Sequence, residues 1–465
     1  RLAYISSNTW LYANYGTLLR QFLRMQNTVE TLIDLGNNYI FADAPDLSPS
    51  IQIVRKTKPT EEYITQCAVF AKGERITAFE DQLPGKLFPL SIHDQLDTGW
   101  RLTLGASRLL FDKLMRAGKS LGEVVERRMY YGVKTGLNQA FVIDQETKDR
   151  LIKDDPGCTA IIKPVLRGED LRPWYQENEG QWLICIPNGW TARILSVLEL
   201  SEEVAWEQLT LLYPGLARYL EPFAEAACNR QDKGQFWWEL RPCDYYDAFD
   251  SSKIFWPDIA KYPRFSWGEP DVYVANTGYF VPSKSYALLG ILSSRVIWYI
   301  ISCISQPLGE RKGVLIYRLI RQYMERLPIP SLTEDQDSNI SAIVRKLIDS
   351  AQQRYAVRQK TARRIQRDLG NGQLKLNQKL EEWWLLSFND LRNEIRKVFK
   401  QDIPLKDRDD WEEFLRERST EIVNLTEKII RLETELNNCV YAVFKLNEDE
   451  IYLIERETKF SYGEW

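Results

Sequence analysis

At Leu327-Pro-Ile-Pro330 the hydrophobic period of the chain changes, and that change limits the folds open to it. Beyond Pro330, Ile340, Ile343, Val344, Leu347, Ile348 and Ala351 recur at the 3.6-residue period of one helix face, and Gly370-Asn-Gly372 predicts where that helix stops. Ile422, Leu425, Ile429, Leu432, Leu436 and Cys439 alternate by three and four, a heptad seam of under three repeats, for which a free dimeric coiled coil is the less favoured alternative. The spacing predicts a helical hairpin packed on the rest of the protein. Ahead of Leu327 the apolar residues come in short runs separated by glycine, proline and polar clusters, which reads as strands mixed with helices. A chain of 465 residues can bury two or three cores. The expected architecture is therefore multidomain, α/β and α+β in front of a C-terminal helical region.

The front of the chain reads strand, helix, strand, strand. Leu2-Ala-Tyr-Ile-Ser6 is strand-like, and a helix is expected from about Tyr15 to Arg24 with Leu18, Leu19, Phe22 and Leu23 on one side. Val29 to Leu35 and Ile51 to Val54 follow as strands, separated by a turn at Gly36-Asn-Asn38. So few elements cannot close a doubly wound sheet, which needs helices on both faces. Together with a first residue, Arg1, that leads straight into a strand, this predicts the C-terminal piece of a longer protein or of a split gene. Residues 59–119 read as a link, containing strand-like Tyr63 to Phe70 and helical Ser107 to Met115. Between Gly132 and Pro330 the strand-like runs include Trp182 to Ile186 and Val272 to Ala275, and helices are expected at Glu199 to Tyr213 and Ala287 to Ser302.

Composition removes several classes of function. The single histidine, His93, forbids a two-histidine metal site and leaves one candidate base for a nucleophilic triad; its turn-forming neighbours favour a surface or capping role. Seven scattered cysteines with no C-x-x-C pair read as reduced and packed. No apolar run approaches the roughly 18 residues of a membrane span, and a cytoplasmic location is the expectation. A net charge of −4 argues against a wholly basic nucleic-acid coat but leaves room for local basic stripes. Gln306 to Arg326 holds five cations against two acids, and Ala351 to Arg367 holds six cations and no acid. Each stripe is either a solvated helix face or a phosphate grip.

Five short signals stand in a fixed order: Gly132-Val-Lys-Thr-Gly-Leu-Asn-Gln-Ala-Phe141, Ile162-Lys-Pro-Val-Leu-Arg-Gly-Glu-Asp170, Lys253-Ile-Phe-Trp-Pro-Asp-Ile259, Leu289-Gly-Ile-Leu-Ser-Ser294 and Leu327-Pro-Ile-Pro330. As a set they resemble the target-recognition domain of TaqI-like adenine DNA methyltransferases, including the type IIG restriction-modification and BREX phage-defence methylases. Tyr4-Ile-Ser-Ser-Asn-Thr-Trp10, Leu19-Arg-Gln-Phe-Leu23 and Ile33 to Ala44 resemble the last part of the catalytic domain in the same family.

The resemblance implies three regions: residues 1–120 as the end of a doubly wound methyltransferase sheet plus a link, residues 121–330 as a mixed α/β target-recognition domain, and residues 331–465 as a helical tail. It implies double-stranded DNA as partner and a parent enzyme that moves a methyl group from S-adenosylmethionine to N6 of adenine. Neither the glycine-rich cofactor turn nor the Asn/Asp-Pro-Pro-aromatic segment of such enzymes occurs in this sequence, so the chain is expected to be inactive alone. Phe41 matches the family position that stacks on a flipped base, with a core ring as the alternative. Candidate DNA contacts on the glycine-framed loop are Lys134, Thr135 and Asn138, where the alternative is a tight turn and nothing more. Arg241 and Arg264 lie beside aromatic clusters that are more often core than base-stacking. Arg311 and Lys312 sit in Gly309-Glu-Arg-Lys-Gly313, followed by Arg318 and Arg321; Arg354, Arg358 and Arg364 lie in the basic helix. Pro257-Asp258 with Glu310-Arg-Lys312 is too poor a fit for a nuclease centre. Three readings stay open: part of a site-specific adenine methyltransferase, a stand-alone specificity module acting with a separate catalytic half, or an inactive remnant.

Overall fold

The computed structural model describes residues 1–36, 38, 40–41, 43, 47–70, 74–97, 99–100, 102, 105–177, 180–196, 201–305, 307–311, 314–370 and 375–463. It is a mixed α/β protein with several small sheets and a C-terminal helical region. Two compact units divide it: Arg1–Ala117 with Ser302–Tyr317, and Gly118–Ile301 with Arg318–Trp465.

The first unit is built on strands β1 (Leu2–Ser7), β2 (Thr28–Asp34), β3 (Pro49–Arg55), β4 (Ile64–Val69) and β5 (Phe88–Ser91), with helix α1 (Thr17–Gln26) between β1 and β2. Their order in the sheet is β1-β3-β2-β4-β5. Only β2 and β4 are parallel; β3 returns antiparallel between β1 and β2, and β5 is antiparallel to β4. The sheet is therefore mixed, and residues 59–119, expected as a link with a strand at Tyr63 to Phe70, supply two of its strands. Neighbouring residues on the central strands serve opposite faces. Leu32 and Cys67 join Trp10, Leu11, Leu23 and Trp100 in one core, while Ile33 and Ala68 join Leu35 and Phe70 in another.

The apolar side expected on helix α1 lies largely at the surface. Leu23 is buried, but Leu18, Leu19, Phe22 and Met25 face out, Leu18 with 78% of its surface exposed. The inward position belongs to Arg20, which is fully buried and donates to the carbonyls of Ala13 and Asp97 at 2.9 and 2.7 Å, and to that of Trp10. A guanidinium placed inward in this way has its donors satisfied by backbone carbonyls, which is what makes its burial tolerable.

In the second unit one sheet runs Val142–Ile143, Trp182–Ile184, Ile162–Leu166, Tyr273–Val274, and a second runs Ser266–Gly268, Lys253–Pro257, Gly278–Pro282, Tyr130–Tyr131. The aromatic clusters are core: Phe236, Trp237, Trp238, Phe255, Trp256, Phe265 and Trp267 are all buried. The helix expected to end at Gly370 spans Glu334–Leu369 with Gly370 as its cap, and it packs along Arg408–Val443. The segment expected as one helix from Ala287 is two, Tyr286–Leu292 and Arg295–Ile304, broken where the Ser294 hydroxyl donates to the Ile291 carbonyl and accepts from the Ile297 amide. Gly290 explains the tight packing there. A Cβ at that position would stand 2.8 Å from Val344, 2.9 Å from Ile340 and 3.1 Å from Leu436, so the glycine lets one helix lie against both members of the hairpin. Among the described residues no single helix is long and apolar enough to cross a membrane.

Candidate nucleic-acid interface

The strand Tyr130–Tyr131 forms one edge of the second sheet, pairing with Tyr279 and Phe280, and the chain leaves that edge directly into Gly132. A side chain at Gly132 would overlap the Ala275 carbonyl. The close approach that this glycine permits is thus to the protein's own strand, where the Val133 amide donates to the Val274 carbonyl at 2.7 Å. Gly136 adopts a φ of 68°, which any other residue adopts only at a cost, and it lies against Asp232. Thr135 is buried; its hydroxyl donates to Asn138 Oδ1 at 2.6 Å and accepts from the Leu137 amide. It shapes the loop and is not presented to a partner, contrary to expectation. Lys134 and Asn138 remain exposed.

Arg230, a residue that nothing in the sequence singles out, holds this loop from beneath. Its buried guanidinium donates to the carbonyls of Thr135, Trp237 and Glu239 and stacks 4.3 Å from the centre of the Phe141 ring. Burial pushes its pKa down to about 10.

Three of the predicted cations converge around Tyr131. Lys134 pairs with Asp232 at 2.8 Å, Arg241 approaches the same carboxylate at 3.8 Å, and Arg318 pairs with Asp258 at 3.2 Å. Burial raises the Tyr131 hydroxyl above its ordinary pKa and Asp258 adds to the rise, while Lys134, Arg318 and Arg241 oppose it. The Tyr131 ring sits 4.9 Å from Tyr279, which in turn stacks 5.8 Å from buried Trp256. The result is a half-exposed aromatic edge bordered by three cations that the sequence scatters over 184 positions, from Lys134 to Arg318. Such a border of cations and an aromatic face can grip phosphate and pack against sugars or bases.

Other expected contacts have internal work instead. Arg264 caps the turn at Gly168–Leu171 by donating to the carbonyls of Gly168, Glu169 and Leu171, and its burial lowers its pKa. Arg354 is 1% exposed and donates to the Gly463 carbonyl at 3.0 Å and to the Thr426 hydroxyl at 3.3 Å. Arg358 pairs with Glu177 at 3.3 Å and lies over Trp384, and Arg364 pairs with Asp368 at 3.4 Å and lies over Phe414. The basic helix is thus largely a packing device, because these guanidinium groups satisfy carbonyls, carboxylates and ring faces of the protein itself. Arg321 is exposed, donating to the Arg127 carbonyl and pairing with Glu325. The Arg311 side chain and all of Lys312 lie outside the described residues. Phe41 keeps 37% of its surface exposed, so its ring is not in the core. His93 is exposed in a short turn whose start is capped by Ser91. Among the described residues no group of three or more His, Cys, Asp or Glu is placed to hold a metal ion.

Comparison with known proteins bears on this region. Residues 333–440 match a family described as a domain of unknown function (DUF8810). No curated protein matches the chain. Among solved structures the chain is similar to the type IIL restriction-modification enzyme MmeI, solved in complex with DNA, with 12% identity and a TM-score of 0.45 over 98% of this chain and 49% of that one. It is also similar to the type IIG restriction endonuclease BpuSI, with 14% identity and a TM-score of 0.33 over 94% of this chain and 47% of that one. The chain spans about half the length of each. Residues 163–329 match the TaqI-like C-terminal specificity domain. That stretch contains Asp232, Arg241, Asp258, Tyr279 and Arg318, and with it the chain carries a TaqI-like specificity domain.

Proposed function

We propose that this chain recognises a specific sequence in double-stranded DNA and is the recognition part of a site-specific adenine-N6 methyltransferase of a restriction-modification or phage-defence system. The observation that carries the reading is the convergence of Lys134, Arg241 and Arg318 on one sheet edge of a specificity domain. Phosphate contacts by such residues release counterions, so affinity falls steeply with salt. Replacing all three by alanine, on exposed or half-exposed side chains, is expected to reduce the slope of log affinity against log salt by about 2–3. Titration of a fluorescent duplex at several salt concentrations measures it; an unchanged slope would reject the assignment of these residues.

The methyl transfer itself belongs, in this reading, to a catalytic half in the same polypeptide or a separate one. The sequence has neither the glycine-rich turn nor the Asn/Asp-Pro-Pro-aromatic segment that would serve S-adenosylmethionine and the target base. The turn after β2, where a glycine follows a strand, is closed by its own hydrogen bonds: Asp34 accepts from the Gly36 amide at 2.9 Å, Asn8 at 3.0 Å and the Tyr12 hydroxyl at 3.1 Å. Support for a covering half comes from the other side of the sheet. Among the described residues β1 has a partner on one edge only, and Leu2, Tyr4 and Ile5 on it are exposed, as is the α1 stripe of Leu18, Phe22 and Met25. An open edge strand and an unburied apolar stripe each suit the addition of further strands and helices.

A further inference from the structure

Each cation at the proposed interface is already held by an acid. The Asp232 side chain is only 18% exposed and faces both Lys134 and Arg241, so one carboxylate restrains two cations. Asp258, 20% exposed, holds Arg318, and among the described residues its buried Oδ1 has no hydrogen-bond partner. Resting on the DNA-recognition reading, we infer that Asp232 and Asp258 are internal competitors of the DNA backbone and act as specificity-determining residues. A carboxylate and a phosphate oxygen are equivalent partners for a guanidinium or an ammonium. A phosphate that arrives at a wrong site must therefore displace a carboxylate already in place, and the net gain is small. At the right site, base and shape contacts add to the exchange and the acids are displaced. The acids thereby lower affinity for DNA in general more than affinity for the target.

The placement suits that role better than a purely structural one. Asp232 lies against the left-handed turn at Gly136, where it touches the loop that presents Lys134. Asp258 is next to the strand Lys253–Pro257, and its own amide and carbonyl are engaged with the Thr277 carbonyl and the Leu319 amide. Backbone bonds thus fix its position and leave the carboxylate to the arginine alone.

The test uses the full chain and duplexes of random sequence between 50 and 200 mM salt, a range over which phosphate contacts dominate affinity. Asp232→Asn keeps size and is expected to bind about 10-fold more tightly at low salt, with a slope steeper by about 1, because released cations now act on phosphate. Asp258→Asn is expected to move both quantities in the same direction by less, since it frees one cation. Glu207→Gln, on an exposed helix position, changes net charge equally and is expected to alter affinity less than 2-fold. Unchanged or weaker binding by both aspartate variants, while the wild type keeps its salt dependence, overturns the inference and leaves the recognition reading standing. An equal gain in Glu207→Gln also overturns it, since net charge would then suffice. Salt-independent binding by the wild type removes the recognition reading and the inference together.

Discussion

Lys253 opens one of the ordered sequence signals, yet its side chain is fully buried in the sheet. Its ammonium donates to the carbonyls of Phe249, Glu269 and Val272 at 2.7, 2.8 and 3.2 Å, tying the strand to two loops. Burial pushes its pKa down to about 8 against the opposing charges of Asp271, Asp250 and Glu269. The folded pKa lies below the unfolded one, so between about pH 8 and 10.5 the unfolded chain binds more protons and stability rises with pH. The full shift corresponds to roughly 3 kcal/mol. The wild type is therefore expected to gain stability relative to Lys253→Met between pH 8 and about 9.5, before unfolded tyrosines ionise; denaturant unfolding at several pH values measures the gap, and a constant gap would contradict this account. Residue roles of this kind were the least legible part of the sequence. Arg20, Arg230, Arg264 and Arg354 look like surface cations in a linear reading. Only the assembled structure brings backbone carbonyls to them and makes burial tolerable.

Elements were legible in proportion to their length. The helices Glu334–Leu369 and Arg408–Val443 carry their period over many turns, and Gly370 marks an end that the structure confirms. Strands of two residues, such as Tyr130–Tyr131 and Tyr273–Val274, have no period to detect and exist through their neighbours. In helix α1 the apolar side was legible but its exposure was not, since apolar spacing cannot reveal that Arg20 turns inward to backbone carbonyls. Glu433 illustrates how the long helices are fixed to the specificity domain. Fully enclosed, it accepts from Trp174 Nε1 at 2.7 Å and from the Gly463 amide at 2.6 Å, and burial raises its pKa above the ordinary carboxylate value. Glu433→Ala leaves both donors unpaired and is expected to cost about 2–4 kcal/mol. Hydrogen exchange should show faster opening of Thr458 to Gly463 in the variant; unaltered protection there would mean that Glu433 does not fasten this segment.

At the scale of the whole molecule, the order of the five signals pointed to the specificity domain, and the match over residues 163–329 agrees with it. What the sequence could not supply was the grouping within it. Lys134, Arg241 and Arg318 come together around Tyr131, whose strand is laid beside Gly278–Pro282, although the sequence keeps them far apart. On the reading proposed above, the protein chooses a site and leaves the chemistry to a catalytic half, and the specificity domain over residues 163–329 supports the first part of it. The most direct test is selection from a random duplex pool by the full chain, followed by sequencing of the retained DNA. The account predicts enrichment of one defined motif, lost when Lys134, Arg241 and Arg318 are all replaced by alanine. A retained pool that stays random, or no retention at low salt, would contradict it.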